Sequence, residues 1–218
     1  MKKWILIPIV AVATLTLAVS IPFIVLAARS SSLESEYTYL KTDSEYNDNV
    51  KIDKINLVEQ HISCGYATIE MMSDYYGNKV TEDDLSKKNN GGVSTSSSDG
   101  FLNEINASID KSFVKHSYLK HDVLLKEIHD SLKKKNPVAI EWAAKYENEW
   151  TLHFSLISGL DLGNDNVTVY NPYGYIENIG VDEFISRASF KAYENMPLFL
   201  NFGFAFGAFE KNTIFFAS

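Results

Sequence analysis

The chain has 218 residues, 45% of them hydrophobic and 13% aromatic, with 20 basic residues against 28 acidic. That is enough apolar material for one ordinary domain with its own core, and it excludes a collagen-like or wholly disordered chain. The acidic balance argues against nucleic acid as a partner.

Lys2 and Lys3 precede an uncharged run from Trp4 to Ala28, closed by Arg29 and three serines. The run is long enough to cross a bilayer as a helix and longer than the apolar part of a typical cleaved signal, which points to a transmembrane anchor over 1–29. Pro8 and Pro22 interrupt it, and Val25, Ala27 and Ala28 offer a small-residue cleavage site, so a cleaved signal is the alternative. The two lysines favour the cytoplasmic side, which places the rest of the chain outside, on the cell membrane or secreted. Without Lys2, Lys3 and Arg29 that part holds 17 basic residues against 28 acidic, a balance of −11. Such acidity serves solubility and would mildly favour basic peptides.

Residues 30–51 are rich in Ser, Glu, Tyr, Asp and Asn without periodicity and read as a spacer, with the domain running over 52–218. From Cys64 to Tyr76 apolar residues recur at helical spacing and Gly77 follows as a stop. Thr81 with Asp84 marks the start of a short helix to about Lys88. Residues 89–100 form a Gly, Ser and Asn tract expected to be a mobile surface loop. Helices are predicted over 101–109 and 122–135, the second stopped by Asn136-Pro137. Beyond Pro137 the period shortens, and 138–142, 151–158 and 166–170 read as strands. A short helix is expected over 182–188 and a last strand over 213–217. The apolar tract 197–209 is too short for a second span and is assigned to buried sheet or core.

Cys64 is the single cysteine, so no internal disulfide forms. It stands at a predicted helix start before Gly65, where the N-terminal dipole and free N–H groups favour a thiolate and can stabilise an oxyanion. Gly65 lets backbone and substrate approach closely there. Among His61, His116, His121, His129 and His153, only His153 lies in a predicted strand, on the face opposite Leu152, Phe154 and Leu156. Val167, Val169 and Asn171 share a face of the next strand, and Asn171 can fix the tautomer of a neighbouring imidazole. His116, His121 and His129 with Asp122 lack the spacing of a metal site, and Ser155 and Ser158 lack a nucleophile elbow. No metal and no cofactor is expected.

The ordered set Gln60 with Cys64-Gly65-Tyr66-Ala67, Pro137-Val138, His153 with Gly159, and Asn171-Pro172-Tyr173-Gly174 resembles the C39-like peptidases. These are bacterial papain-like cysteine peptidases related to those that cut bacteriocin leader peptides after double glycine. The resemblance runs from about residue 55 to the C-terminus. It implies an α+β papain-like fold, a helical half with the nucleophile helix packed on an antiparallel sheet. It further implies a Cys64, His153 and Asn171 triad, with Gln60 as oxyanion donor, acting on a peptide or protein substrate. Gln60 stands nearer the cysteine than is usual in that family, and no Walker-type glycine loop accompanies the domain, so double-glycine leader cleavage is not carried over. A Cys-dependent acyltransferase or amidase, an inactive surface-displayed binding module and an immunity or toxin-related accessory protein stay open as alternatives.

Overall fold

The computed structural model describes residues 20–218. Most of the uncharged run from Trp4 lies outside that range; its tail forms helix α1 over 20–31. Among the described residues no helix is long and apolar enough to cross a membrane.

The helical half holds α2 (Cys64–Tyr75), α3 (Glu82–Lys88), α4 (Ser98–Ser108) and α5 (His121–Lys133). Ser63 caps α2 by accepting the Tyr66 N–H at 3.1 Å, and Thr81 and Asp84 close a reciprocal capping box on α3. Helix α4 starts earlier than expected because Ser97 caps it, accepting the Gly100 N–H. The tract 89–100 is correspondingly no free loop: Thr95 and Ser98 are buried, and Tyr66 Oη donates to Gly92 O.

A seven-stranded antiparallel sheet forms the other half, in the order β2 (Phe113–His116), β7 (Thr213–Ala217), β3 (Val138–Tyr146), β4 (Glu149–Asp161), β5 (Asn166–Asn171) and β6 (Tyr175–Ile179). Strands β2 and β6 are additions to the sequence reading; both are short, and β6 is mostly exposed, so neither shows a clear alternation. β1 (Asn49–Lys51) pairs with β4 from Gly159 to Asp161, where β3 has ended. Residues 30–51, expected to be a spacer, therefore lie on the domain: Leu33, Leu40 and Val50 are buried, and a 3₁₀ turn spans Thr38–Lys41. Their contacts are long-range, which local composition does not report.

Phe101 of α4 joins the halves, stacked on Phe154 at 4.4 Å between centroids and tilted against Phe215 at 4.7 Å. Helix α6 (Val181–Ala188) covers Trp142 of β3. The tract 197–209 is neither sheet nor wholly core. It forms helix α7 (Leu198–Ala205), which buries Leu200 and Phe204 and exposes Leu198, Phe199 and Phe202.

Candidate active site

Cys64 opens α2, which packs against β4. The residue is half-buried, and the main chain of Phe154, the residue after His153, lies close enough to act on the titration of its thiol, as does the main chain of its own turn. His153 is 1% exposed and lies directly across from Trp142 in the β3–β4 register. Tyr173 covers its ring face at 4.1 Å between centroids, and the Tyr173 hydroxyl sits 2.7 Å from Thr151 Oγ1.

His153 Nε2 lies 2.8 Å from Asn171 Oδ1. The partners of Asn171 fix which end of its amide faces the ring. Asn171 Nδ2 donates to Glu177 Oε1 at 2.6 Å, and a carboxylate can only accept. Asn171 Oδ1 also takes the Tyr173 N–H at 2.9 Å. The oxygen therefore faces His153, Nε2 carries the proton, and Nδ1 is left as a free base. Glu177 is held in turn by Arg187, which is buried and donates through Nη1 at 2.6 Å and Nη2 at 3.1 Å. The Arg187 guanidinium lies 3.7 Å above the Trp142 ring and its Nε donates to Ala143 O. Sequence reading missed Glu177, Arg187 and Trp142, and gave Tyr173 only as part of the Asn171-Pro172-Tyr173-Gly174 motif. Glu177 enters through the β5–β6 pairing, where it faces Val169, two residues before Asn171 on the same side of β5, and β6 shows no alternation from which that register could be read.

Gln60 lies against the same turn, its N–H donating to Pro172 O at 2.7 Å, and its Oε1 is buried without a partner among the described residues. A cavity of about 350 Å³ opens there, lined by Glu59, Gln60, Tyr146, Thr151, Pro172 and Tyr173. The three residues between Gln60 and Cys64 are clamped by Glu82. This fully buried carboxylate accepts the N–H of His61 at 3.1 Å on Oε1, and those of Ile62 and Ser63 at 2.9 Å on Oε2. A charge in α3 thus sets the path from Gln60 to the nucleophile helix, and nothing in the local sequence announces it.

Two expectations change. Gly65 faces Thr95 rather than open space: a Cβ there would meet Thr95 Oγ1 at 2.3 Å. The helix start does not leave a free thiolate either. Burial pushes the Cys64 thiol up to about 11, against hydrogen bonds from Phe154, Gly65 and Cys64 itself, and the Glu141 carboxyl adds to the rise. Burial likewise drives the His153 imidazole down to about 3, against its bond to Asn171, with the Arg187 charge acting in the same direction as burial. Both shifts act towards the neutral forms, thiol and imidazole.

A family model for the Peptidase_C39 like family matches residues 52–197, more than half of the chain. The chain belongs to that family. Among solved structures it is similar to a C39-like protein from Bacillus anthracis, with TM-score 0.52 and 13% identity, over 78% of this chain and 98% of that one. It also matches the peptidase domain of Streptococcus ComA, a bi-functional ABC transporter of a quorum-sensing pathway, with TM-score 0.49 and 14% identity, over 76% and 98%. A double glycine motif protease from an AMS/PCAT transporter, solved with its leader peptide, matches with TM-score 0.48 and 15% identity, over 75% and 91%. No curated protein matches the sequence. The chain thus has the papain-like α+β fold of the C39-like peptidases.

Proposed function

We propose that the chain is a cysteine peptidase that hydrolyses peptide bonds through Cys64, His153 and Asn171, acting outside the cytoplasm on a peptide or protein. Segment 1–29 would hold it at the cell membrane, or release it as a secreted domain if cleaved. The observation that carries the reading is the Arg187, Glu177, Asn171 and His153 chain, which leaves one imidazole nitrogen unprotonated beside the strand that contacts the thiol.

In this scheme Cys64 passes its proton to His153 Nδ1 as the sulfur attacks the carbonyl carbon, so the charge pair forms during the reaction. The Cys64 N–H and the Gln60 side-chain amide receive the developing oxyanion. His153 returns the proton to the leaving amine, and water, deprotonated by the same nitrogen, hydrolyses the thioester. The test is turnover of a peptide library followed by mass spectrometry, with Cys64→Ala, His153→Ala and Asn171→Ala in parallel. Loss of all cleavage in the first two, and a large fall in the third, is expected. Cleavage that survives Cys64→Ala would overturn the mechanism.

The depth of the thiol and imidazole favours one other reading, a binding module without turnover. Binding measured beside turnover separates the two readings. A peptide that the wild-type chain cleaves and the Cys64→Ala chain binds intact belongs to a working site; a peptide that both chains bind and neither cleaves belongs to a binding module.

A further inference from the structure

Apart from Asn201, whose side chain is turned onto the Met196 and Pro197 carbonyls, helix α7 is apolar. Its sequence from Leu198 to Ala205 carries no charge, and neither does the wider tract 197–209. Leu200 and Phe204 face the domain, with Phe204 set edge-on to Phe190 at 4.7 Å. The outward positions are as apolar as the inward ones. Leu198 and Phe199 are 70% exposed, Phe206 60% and Phe202 38%, and the spacing of 198, 202 and 206 puts them on one face. A water-facing helix surface is ordinarily polar, and one apolar all round lies in a core or in lipid.

The neighbour of that face says which. Helix α1 runs beside α7, with Phe23 edge-on to Phe202 at 5.2 Å, and itself exposes Ile21, Ile24 and Val25. A groove of about 330 Å³ between them is lined by Ile21, Val25, Leu26, Phe204 and Phe206, among others. α1 is also the tail of the uncharged run from Trp4 to Ala28, which on the anchor reading is long enough to span the roughly 30 Å of a bilayer core. Phe23 lies six residues before Arg29, roughly 9 Å along a helix axis. That matches the 5–10 Å to which interfacial helices sink. Arg29 lies over Tyr118 and both line the groove, so this cation sits at the edge of the apolar surface.

We propose that α7 is a second membrane contact, lying in the outer interface of the bilayer beside the anchor with Leu198, Phe199, Phe202 and Phe206 in lipid, and so fixing how the catalytic domain sits on the membrane. The proposal rests on the anchor reading of segment 1–29. It extends that reading from a tether to an oriented docking of the domain.

The test uses the full chain with Cys64→Ser and one new cysteine, at Phe199, Val12 or Lys79, carrying an environment-sensitive fluorophore. Each labelled protein is reconstituted in phosphatidylcholine–phosphatidylglycerol vesicles whose acyl chains are brominated near the carbonyl end or at mid-chain. Position 199 is exposed, so the label does not disturb the core. The expected result is a blue shift at 199 with quenching strongest for the shallow bromines, quenching at 12 by mid-chain bromines, and a water-like, unquenched label at the exposed Lys79 position. A label at 199 that behaves like the one at 79 while 12 is quenched overturns the α7 contact and leaves the anchor standing. A blue-shifted label at 199 that no bromine quenches overturns it in favour of a second copy covering the face. Quenching at 199 alone removes the anchor and overturns the docking beside it, leaving α7 as a membrane contact by itself, and quenching at neither removes both.

Discussion

Glu82 offers a test of the site's construction that needs no substrate. Its carboxylate takes three consecutive N–H groups, and hydrogen bonds to an ionised acceptor contribute roughly 1.5–3 kcal/mol each. Water entering the space left by Glu82→Ala would replace part of this, so the expected loss is about 3–5 kcal/mol. Against a total stability of roughly 5–15 kcal/mol that loss brings the alanine chain near unfolding. Glu82→Gln is the gentler probe. Its one oxygen can still serve Ile62 and Ser63, but its amide would point a donor at the His61 N–H, for an expected cost of about 2 kcal/mol. Urea denaturation reads both as a lower midpoint at unchanged slope. The glutamine chain should also lose kcat with KM little altered, because the Gln60 to Cys64 path shifts while the cavity at Tyr173 stays. An alanine chain less than about 1 kcal/mol weaker than wild type would refute the clamp.

Glu177→Gln should reduce kcat and broaden the pH profile's acid limb, because an amide can turn its donor towards Asn171 and release the His153 tautomer; an unchanged profile would dismiss the Arg187 to His153 chain. Two groups predict acid sensitivity in windows that overlap between about pH 4.5 and 3, and substitution tells them apart. Burial alone would raise Glu104, but hydrogen bonds from Lys88, Ser94, Asn89 and Ser108 hold it down to about 2. Its contribution, on the order of 3 kcal/mol, is in place above pH 4.5 and is lost as pH falls through 2, so Glu104→Gln should flatten stability across that window. His153 binds its proton in the unfolded chain at 6.5 but in the folded one only near 3, so stability falls as pH drops from 6.5 towards 3 and His153→Gln should remove that slope. Gly65→Ala should cost roughly 1–3 kcal/mol by overpacking against Thr95, and Thr95→Gly in the same chain should recover part of it; simple additivity in the double-mutant cycle would disprove the contact.

Local chemistry made much of this molecule readable in advance. The capping pattern at Thr81, the stop at Pro137, the change of period after it and the strand alternation around His153 are short-range effects of backbone geometry and side-chain shape, and the corresponding elements stand where they were expected. Cys64, His153 and Asn171 stood out as candidates because a cysteine at a helix start and a histidine on a strand are local features too. The fold brings Cys64 to the strand of His153, and His153 to Asn171.

What sequence position does not encode is which distant groups meet, and how dry they become. The sequence by itself determined the order of the longer elements, the candidate reactive residues and the apolar run at the N-terminus, but not β1, β2, β6 or α7. Only the tertiary structure decided that Glu82 clamps the turn before Cys64, that Arg187 and Glu177 orient Asn171, and that Thr95 fills the space beside Gly65. It also decided that an apolar tract assigned to the core turns half its side chains outward as α7. The titration of Cys64 and His153 belongs with these, because a dipole at a helix end is a local effect whereas desolvation is set by everything packed around it, and desolvation is the largest cause of both shifts.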